Sequence, residues 1–117
     1  MGDLSQHFDS EEFACHCGCG AKTVNPTLIY LLEEIRARIG KPIHILSGVR
    51  CKKHNADVGG APYSQHLLGN AADIQVKGLS SGQLHDIIEN HFIVGGMGLY
   101  NTFVHIDVRT LKARWHG

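Results

Sequence analysis

Two six-residue segments, 71–76 and 103–108, constrain this chain more than any other feature. In the first, Ala72, Ile74 and Val76 alternate with Asp73 and Gln75; in the second, Val104, Ile106 and Val108 alternate with Phe103, His105 and Asp107. Successive side chains of a strand point to opposite sides, so each segment reads as a strand with one apolar face that something must cover. Helices supply the cover. Asn25-Pro26 offers a cap followed by proline at the first helical position. Leu28, Leu31, Leu32, Ile35 and Ile39 then recur at helical spacing until Gly40 and Pro42, which predicts a helix over 26–39. Ser80 or Ser81 opens a second helix with Leu84, Ile87, Ile88 and His91 on one side.

The remaining segments are short. Residues 9–13 read as a helical turn opened by Asp9 or Ser10, 14–24 as a loop and 43–46 as a strand. Residues 51–57 read as another helical turn, and 59–62 as a loop. Gly95-Gly96-Met97-Gly98 reads as a glycine-rich stretch before a last strand over 102–109. The order predicts an α+β domain with a small, largely antiparallel sheet and helices on one side. The 117 residues fit a single domain, 1–117, with an N-terminal segment 1–24 and a core 25–117.

Eleven basic residues balance eleven acidic ones with no long run of either sign, which argues against nucleic acid or an anionic membrane as partner. No apolar run approaches the length of a membrane span. The first residues lack a basic stretch followed by an apolar one, so the expectation is synthesis in the cytoplasm without a signal peptide. Delivery elsewhere would then need another factor. Nine histidines are many for this length and hint at metal or acid–base chemistry.

If the two strands are neighbours, their polar faces gather Asp73, His105 and Asp107 in one cleft. His66 lies seven residues before Asp73, and Gly69 lets the chain turn between them. Two imidazoles and a carboxylate suit a catalytic zinc, which takes three protein ligands and leaves a position for water. Spacing alone leaves open both this and unrelated surface or structural histidines. Cys15, Cys17 and Cys19 form a Cys-x-Cys-x-Cys cluster, with Cys51 and His54 further on. A second, structural zinc, disulfides and free thiols are all open readings of these cysteines.

Ser64-Gln65-His66-Leu67-Leu68-Gly69-Asn70-Ala71-Ala72-Asp73 resembles the Ser-x-His-x-x-Gly-x-Ala-x-Asp signature of the zinc D-Ala-D-Ala carboxypeptidase family. That family includes murein endopeptidases and phage endolysins, and shares its fold with the vancomycin-resistance dipeptidase and the hedgehog signalling domain. Phe103-Val104-His105-Ile106-Asp107 resembles the segment bearing the third ligand, and Ser47-Gly48-Val49-Arg50 the family's Ser-Gly-Tyr-Arg. The resemblance runs from about Pro26 to about Trp115. It implies a hedgehog/D-Ala-D-Ala peptidase-like fold, with zinc on His66, Asp73 and His105. Arg50 would pair with the substrate carboxylate or the reacting carbonyl, as a guanidinium does well.

Many relatives carry an acidic general base three positions before the last histidine ligand; here that position is Thr102. Asp107 is the best substitute, either activating water or orienting a ligand. His44 is a weaker proton-transfer candidate. Ser64, Tyr63 and Tyr100 are candidates to hydrogen-bond substrate, and Trp115 either lines the cleft or packs. The expected activity is a monomeric zinc peptidase, endolysin-like or murein endopeptidase, cutting peptidoglycan peptide bonds next to D-amino acids after release to the wall. The alternatives are a D-Ala-D-Ala carboxypeptidase or dipeptidase on soluble fragments, and a zinc-containing binding module without catalysis.

Overall fold

The computed structural model describes residues 4–20, 22–60 and 64–117. Five strands form one sheet: β1 (His44–Ser47), β2 (Ala71–Gln75), β3 (Gly96–Leu99), β4 (Val104–Asp107) and β5 (Ala113–His116), in the order β1-β2-β4-β3-β5. The pairings β1–β2, β2–β4 and β3–β4 are antiparallel, and β3–β5 is parallel. The helices are α1 (Pro26–Ile39), α2 (Lys52–Asp57) and α3 (Ser81–His91), with 3-10 turns at Ser10–Phe13 and Gln65–Leu68.

The sequence signals act as local chemistry says they should. The Asn25 side chain accepts from the Thr27 N–H, Pro26 opens α1, and Gly40 ends it in the left-handed region at φ 74°. Ser80 and Gln83 cap α3 reciprocally. Leu28, Leu32 and Ile35 of α1 and Leu84 and Ile88 of α3 share one core with Ala72, Ile74, Met97, Val104 and Ile106 of the sheet. The apolar faces of β2 and β4 are thus covered, and their polar faces turn the other way. Phe8 and Phe13 join the same core, so the N-terminal segment packs against the rest of the domain. Phe13 lies so close under Gly48 that a Cβ there would sit 2.7 Å from the Phe13 Cα.

Two strands depart from the sequence reading. β3 takes up most of the glycine-rich stretch at 95–98 and runs on to Leu99, and β5 follows where no strand was expected. Glycine is a poor strand former, but β3 is hydrogen-bonded between β4 and β5, and that ladder decides its conformation. β5 is an edge strand of half-buried residues with little alternation to reveal it. The strand expected over 102–109 is trimmed to Val104–Asp107. His66 lies in the 3-10 turn Gln65–Leu68.

That turn ends at Gly69, at φ 70°, where an added Cβ would meet the Thr23 carbonyl oxygen at 2.3 Å. The Gly69 carbonyl in turn accepts from the Asn25 N–H at 2.9 Å, fastening the turn to the start of α1. Gly69→Ala should therefore destabilise the domain by at least about 1–2 kcal/mol, the ordinary cost of a left-handed conformation for a residue with a Cβ. Urea unfolding measures this, and an unchanged midpoint would show that the turn relaxes freely.

Candidate metal centre and cleft

The β2–β4 register sets Asp73 directly opposite His105, and Ala71 opposite Asp107. Cross-strand neighbours on one face are in side-chain contact. The 3-10 turn before β2 then swings His66 over the same point. The result is a buried group in which His66, Asp73 and His105 are 2%, 5% and 7% exposed, and each offers a ligand atom within 4.8 Å of the others. The Asp73 Oδ1 lies 3.3 Å from the His66 Nε2 and 3.1 Å from the His105 Nδ1. Donors bound tetrahedrally to one zinc at about 2.0–2.1 Å would lie about 3.4 Å apart. The spacing fits a shared ion.

The outer hydrogen bonds fit it too. The His66 Nδ1 donates to the Gly48 carbonyl at 2.6 Å, and the His105 Nε2 donates to the Asp107 Oδ2 at 2.8 Å. A carbonyl or carboxylate only accepts, so those ring nitrogens carry hydrogen. The opposite nitrogens are left to face the Asp73 carboxylate. Such a partner on the far nitrogen is the usual companion of a metal-binding imidazole. A lone pair aimed at a carboxylate is unfavourable until a proton or a cation lies between them, so the donor set suits a divalent ion.

Charge follows the same geometry. Burial would raise the Asp73 pKa, but hydrogen bonds with His105 and His66 outweigh it and hold the value at about 2. Burial would lower that of His105, but its bonds to Asp107 and Asp73 raise it above the ordinary 6.5. Asp107 is held well below the usual carboxylate range: burial opposes this, and His105 and Arg109 overcome it.

A cleft of about 550 Å³ opens on this group. Arg50, Ser64, Tyr100, Phe103, Arg109 and Trp115 line it beside the three central residues. The Arg50 Nη2 donates to the Asp73 Oδ2 and its Nη1 to the Asn55 Oδ1, both at 3.3 Å. Ser64 spends its hydroxyl oxygen on the His66 N–H, so it shapes the turn as well as the rim. The Tyr100 hydroxyl accepts from the Trp115 Nε1 at 3.0 Å, and the Tyr100 ring stacks on Phe103. Tyr63 lies outside the described residues.

Asp107 is on the expected face but has no exposed surface and does not line the cleft. Its Oδ1 accepts from the N–H groups of Gly96 and Arg109 and from the Arg109 Nε, and its Oδ2 from the Arg109 Nη2 and His105. Thr102 and His44 are exposed and apart from the cleft. Cys15, Cys17, Cys19 and Cys51 form a second cluster, with all four thiols free.

Three contributors were missed in the sequence. Arg109 clamps Asp107 through two nitrogens and lies 5.1 Å over the Trp115 ring. Gly96 and Gly98 sit across from Asp107 and His105 on the same face. A Cβ on Gly96 would lie 2.3 Å from the Asp107 Oδ2, and one on Gly98 2.3 Å from the Trp115 Nε1. The signal was present in the Gly-x-Gly spacing, which clears one face of a strand at period two.

A buried triad of two imidazoles and one carboxylate, open to a cleft that carries an arginine, could hold a divalent ion. The Peptidase M15 family profile matches residues 6–107, and the chain belongs to this family of zinc-dependent metallopeptidases. A search of curated proteins finds no match.

Metal binding at this triad should be linked to pH. The raised His105 pKa means that its proton stabilises the metal-free fold fully below about pH 6.5, and that this contribution is lost as pH rises through the folded-state value. A cation at Nδ1 must displace that proton. Zinc affinity should therefore rise as pH climbs through the raised His105 value, with protons released. Calorimetry in buffers of different ionisation enthalpy reads this in the binding step that His105→Ala removes. A step with constant affinity and no proton release would contradict it. Asp73, already ionised, adds dependence only in acid, between 3.8 and about 2.

Proposed function

We propose that this protein is a zinc-dependent peptidase that hydrolyses peptidoglycan peptide bonds next to D-amino acids. The observation that carries the reading is the convergence of His66, Asp73 and His105 at the floor of a cleft that Arg50 also lines. Family membership supports the metallopeptidase class and peptidoglycan-type substrates. A bound zinc would supply Lewis acidity to a scissile carbonyl and to a water at its open position.

The chain's own residues divide the remaining work. His66, Asp73 and His105 would hold the ion. Arg50 spends one nitrogen on Asp73 and another on Asn55, and its remaining N–H groups are available to a substrate carboxylate or carbonyl. Tyr100 and Ser64 sit at the rim, where they would contact the peptide. Asp107 is a positioning residue: its acceptor capacity is filled by Gly96, Arg109 and His105, so it fixes the ring of His105 and leaves no lone pair for water. The substrate lies in the bacterial wall, which the protein reaches after release from the cytoplasm.

A second reading has its own observation. Among the described residues lining the cleft, Asp73 is the sole carboxylate, Thr102 stands where the family resemblance leads one to expect an acidic base in many relatives, and Asp107 is closed off. That pattern also suits a zinc-containing binding module without catalysis.

Digestion of purified peptidoglycan by zinc-loaded and chelator-treated protein, with fragments identified by mass, separates the two. New peptide ends that appear only with metal are expected. Intact walls and intact soluble D-Ala-D-Ala peptides, despite zinc at the triad, would overturn the peptidase reading and favour the binding module. Asp107→Asn should weaken zinc binding roughly 10–100-fold, as loss of such a partner commonly does, yet leave kcat at saturating zinc within a few-fold. A collapse of kcat at saturating zinc would make Asp107 the base instead.

A further inference from the structure

The four cysteines gather residues from distant parts of the chain. Cys15, Cys17 and Cys19 come from the loop after the first 3-10 turn, and Cys51 is the residue that caps α2. Their sulfurs all lie within 4.8 Å of one another. Cys15 and Cys17 are 3.4 Å apart, Cys15 and Cys51 3.8 Å, and Cys17 and Cys51 3.6 Å. Zinc–sulfur bonds of about 2.3 Å in a tetrahedron place the sulfurs about 3.8 Å from each other. A disulfide needs a single pair at about 2.05 Å and asks nothing of the other two sulfurs. Here at least three sulfurs are near-equidistant, as ligands of a common centre are.

The backbone around them is arranged for negative charge on sulfur. The Cys51 N–H donates to the Cys15 sulfur, and the His54 N–H to the Cys51 sulfur, both at 3.4 Å. Gly18 and Gly20, at φ 81° and 87°, let the loop curl so that alternate residues present their sulfurs to one point. Four thiolates and no oxygen donor select a soft or borderline ion, zinc foremost.

We infer that Cys15, Cys17, Cys19 and Cys51 form a second, structural zinc site that clamps the N-terminal loop to the segment bearing Arg50. The cysteines bind as thiolates and their protons pass to solvent. All four positions are filled by protein, so the site is closed to substrate. Its consequence is reach. The Phe13 carbonyl accepts from the Val49 N–H at 2.8 Å, the Gly48 carbonyl orients His66, Arg50 contacts Asp73, and Cys51 is a ligand. One ion therefore pins a four-residue segment, 48–51, that serves the cleft at two of its members. The site uses none of the residues of the proposed catalytic centre, so either reading can fail alone.

The test counts metal on the full chain purified under reducing conditions. The unmodified protein should carry two zinc ions, the C17S/C19S variant one, and the H66A/H105A variant one. Cobalt in place of zinc should give strong thiolate-to-metal charge-transfer absorption in the unmodified chain and in H66A/H105A, and none in C17S/C19S. Should C17S/C19S fail to fold, H66A/H105A decides: one bound cobalt with thiolate bands upholds the site, and none overturns it. Equal zinc in C17S/C19S and the unmodified chain, or a denatured mass showing disulfides in the reduced, metal-exposed protein, would also overturn it. If H66A/H105A keeps both ions, the catalytic assignment falls while the cysteine site stands.

Discussion

Everything in the cleft depends on the antiparallel register that places Asp73 across from His105. Strand side chains repeat at period two, so a slip of one residue would turn Asp73 and His105 into the core and bring Ile74 or Ile106 out. The apolar faces prevent the slip. Ala72, Ile74, Val104 and Ile106 are all buried beneath α1 and α3. The fold thus spends its hydrophobic burial on the same alignment that the site needs, and the buried charges sit on the opposite face at positions the core has already decided.

The supporting shell is built from short-range devices around that register. Gly48 does double service: its missing side chain admits Phe13, and its carbonyl holds the His66 ring. Gly96 and Gly98 clear the floor so that the Asp107–Arg109 pair and the tilted Trp115 ring can approach His105. Asn70 ties the far end together, accepting through its carbonyl from the Val108 N–H and through its side chain from Asn25. These contacts hold the imidazoles by their outer nitrogens and leave the inner ones facing one carboxylate. That arrangement costs electrostatic repulsion without a cation, and against the cost of burial the bonds of His105 to Asp107 and Asp73 raise its pKa.

Much of this was legible in the sequence. The alternation in 71–76 and 103–108 named the buried and polar faces, and the Asn25-Pro26 and Gly40 signals bounded α1 as observed. His66, Asp73 and His105 were legible because a ten-residue signature joins two of them and a histidine on a strand face supplies the third. What was not legible depends on partners distant in sequence. β3 is a strand because β4 and β5 flank it, and no propensity of Gly-Met-Gly-Leu announces that. Asp107 shares a face with His105, yet only the approach of Arg109 and Gly96 reveals that its carboxylate is filled. The cysteine spacing left several chemistries open and gave no sign that Cys51 lies beside Cys15 in space.

The measurement that tests the central claim most directly is anomalous diffraction at the zinc absorption edge from crystals of the full chain grown with zinc. The expected result is a peak bonded by the His66 Nε2, the Asp73 Oδ1 and the His105 Nδ1, with the His105 Nε2 still on Asp107. No peak between these three residues, or a peak bonded through Asp107 in place of Asp73, would contradict the account.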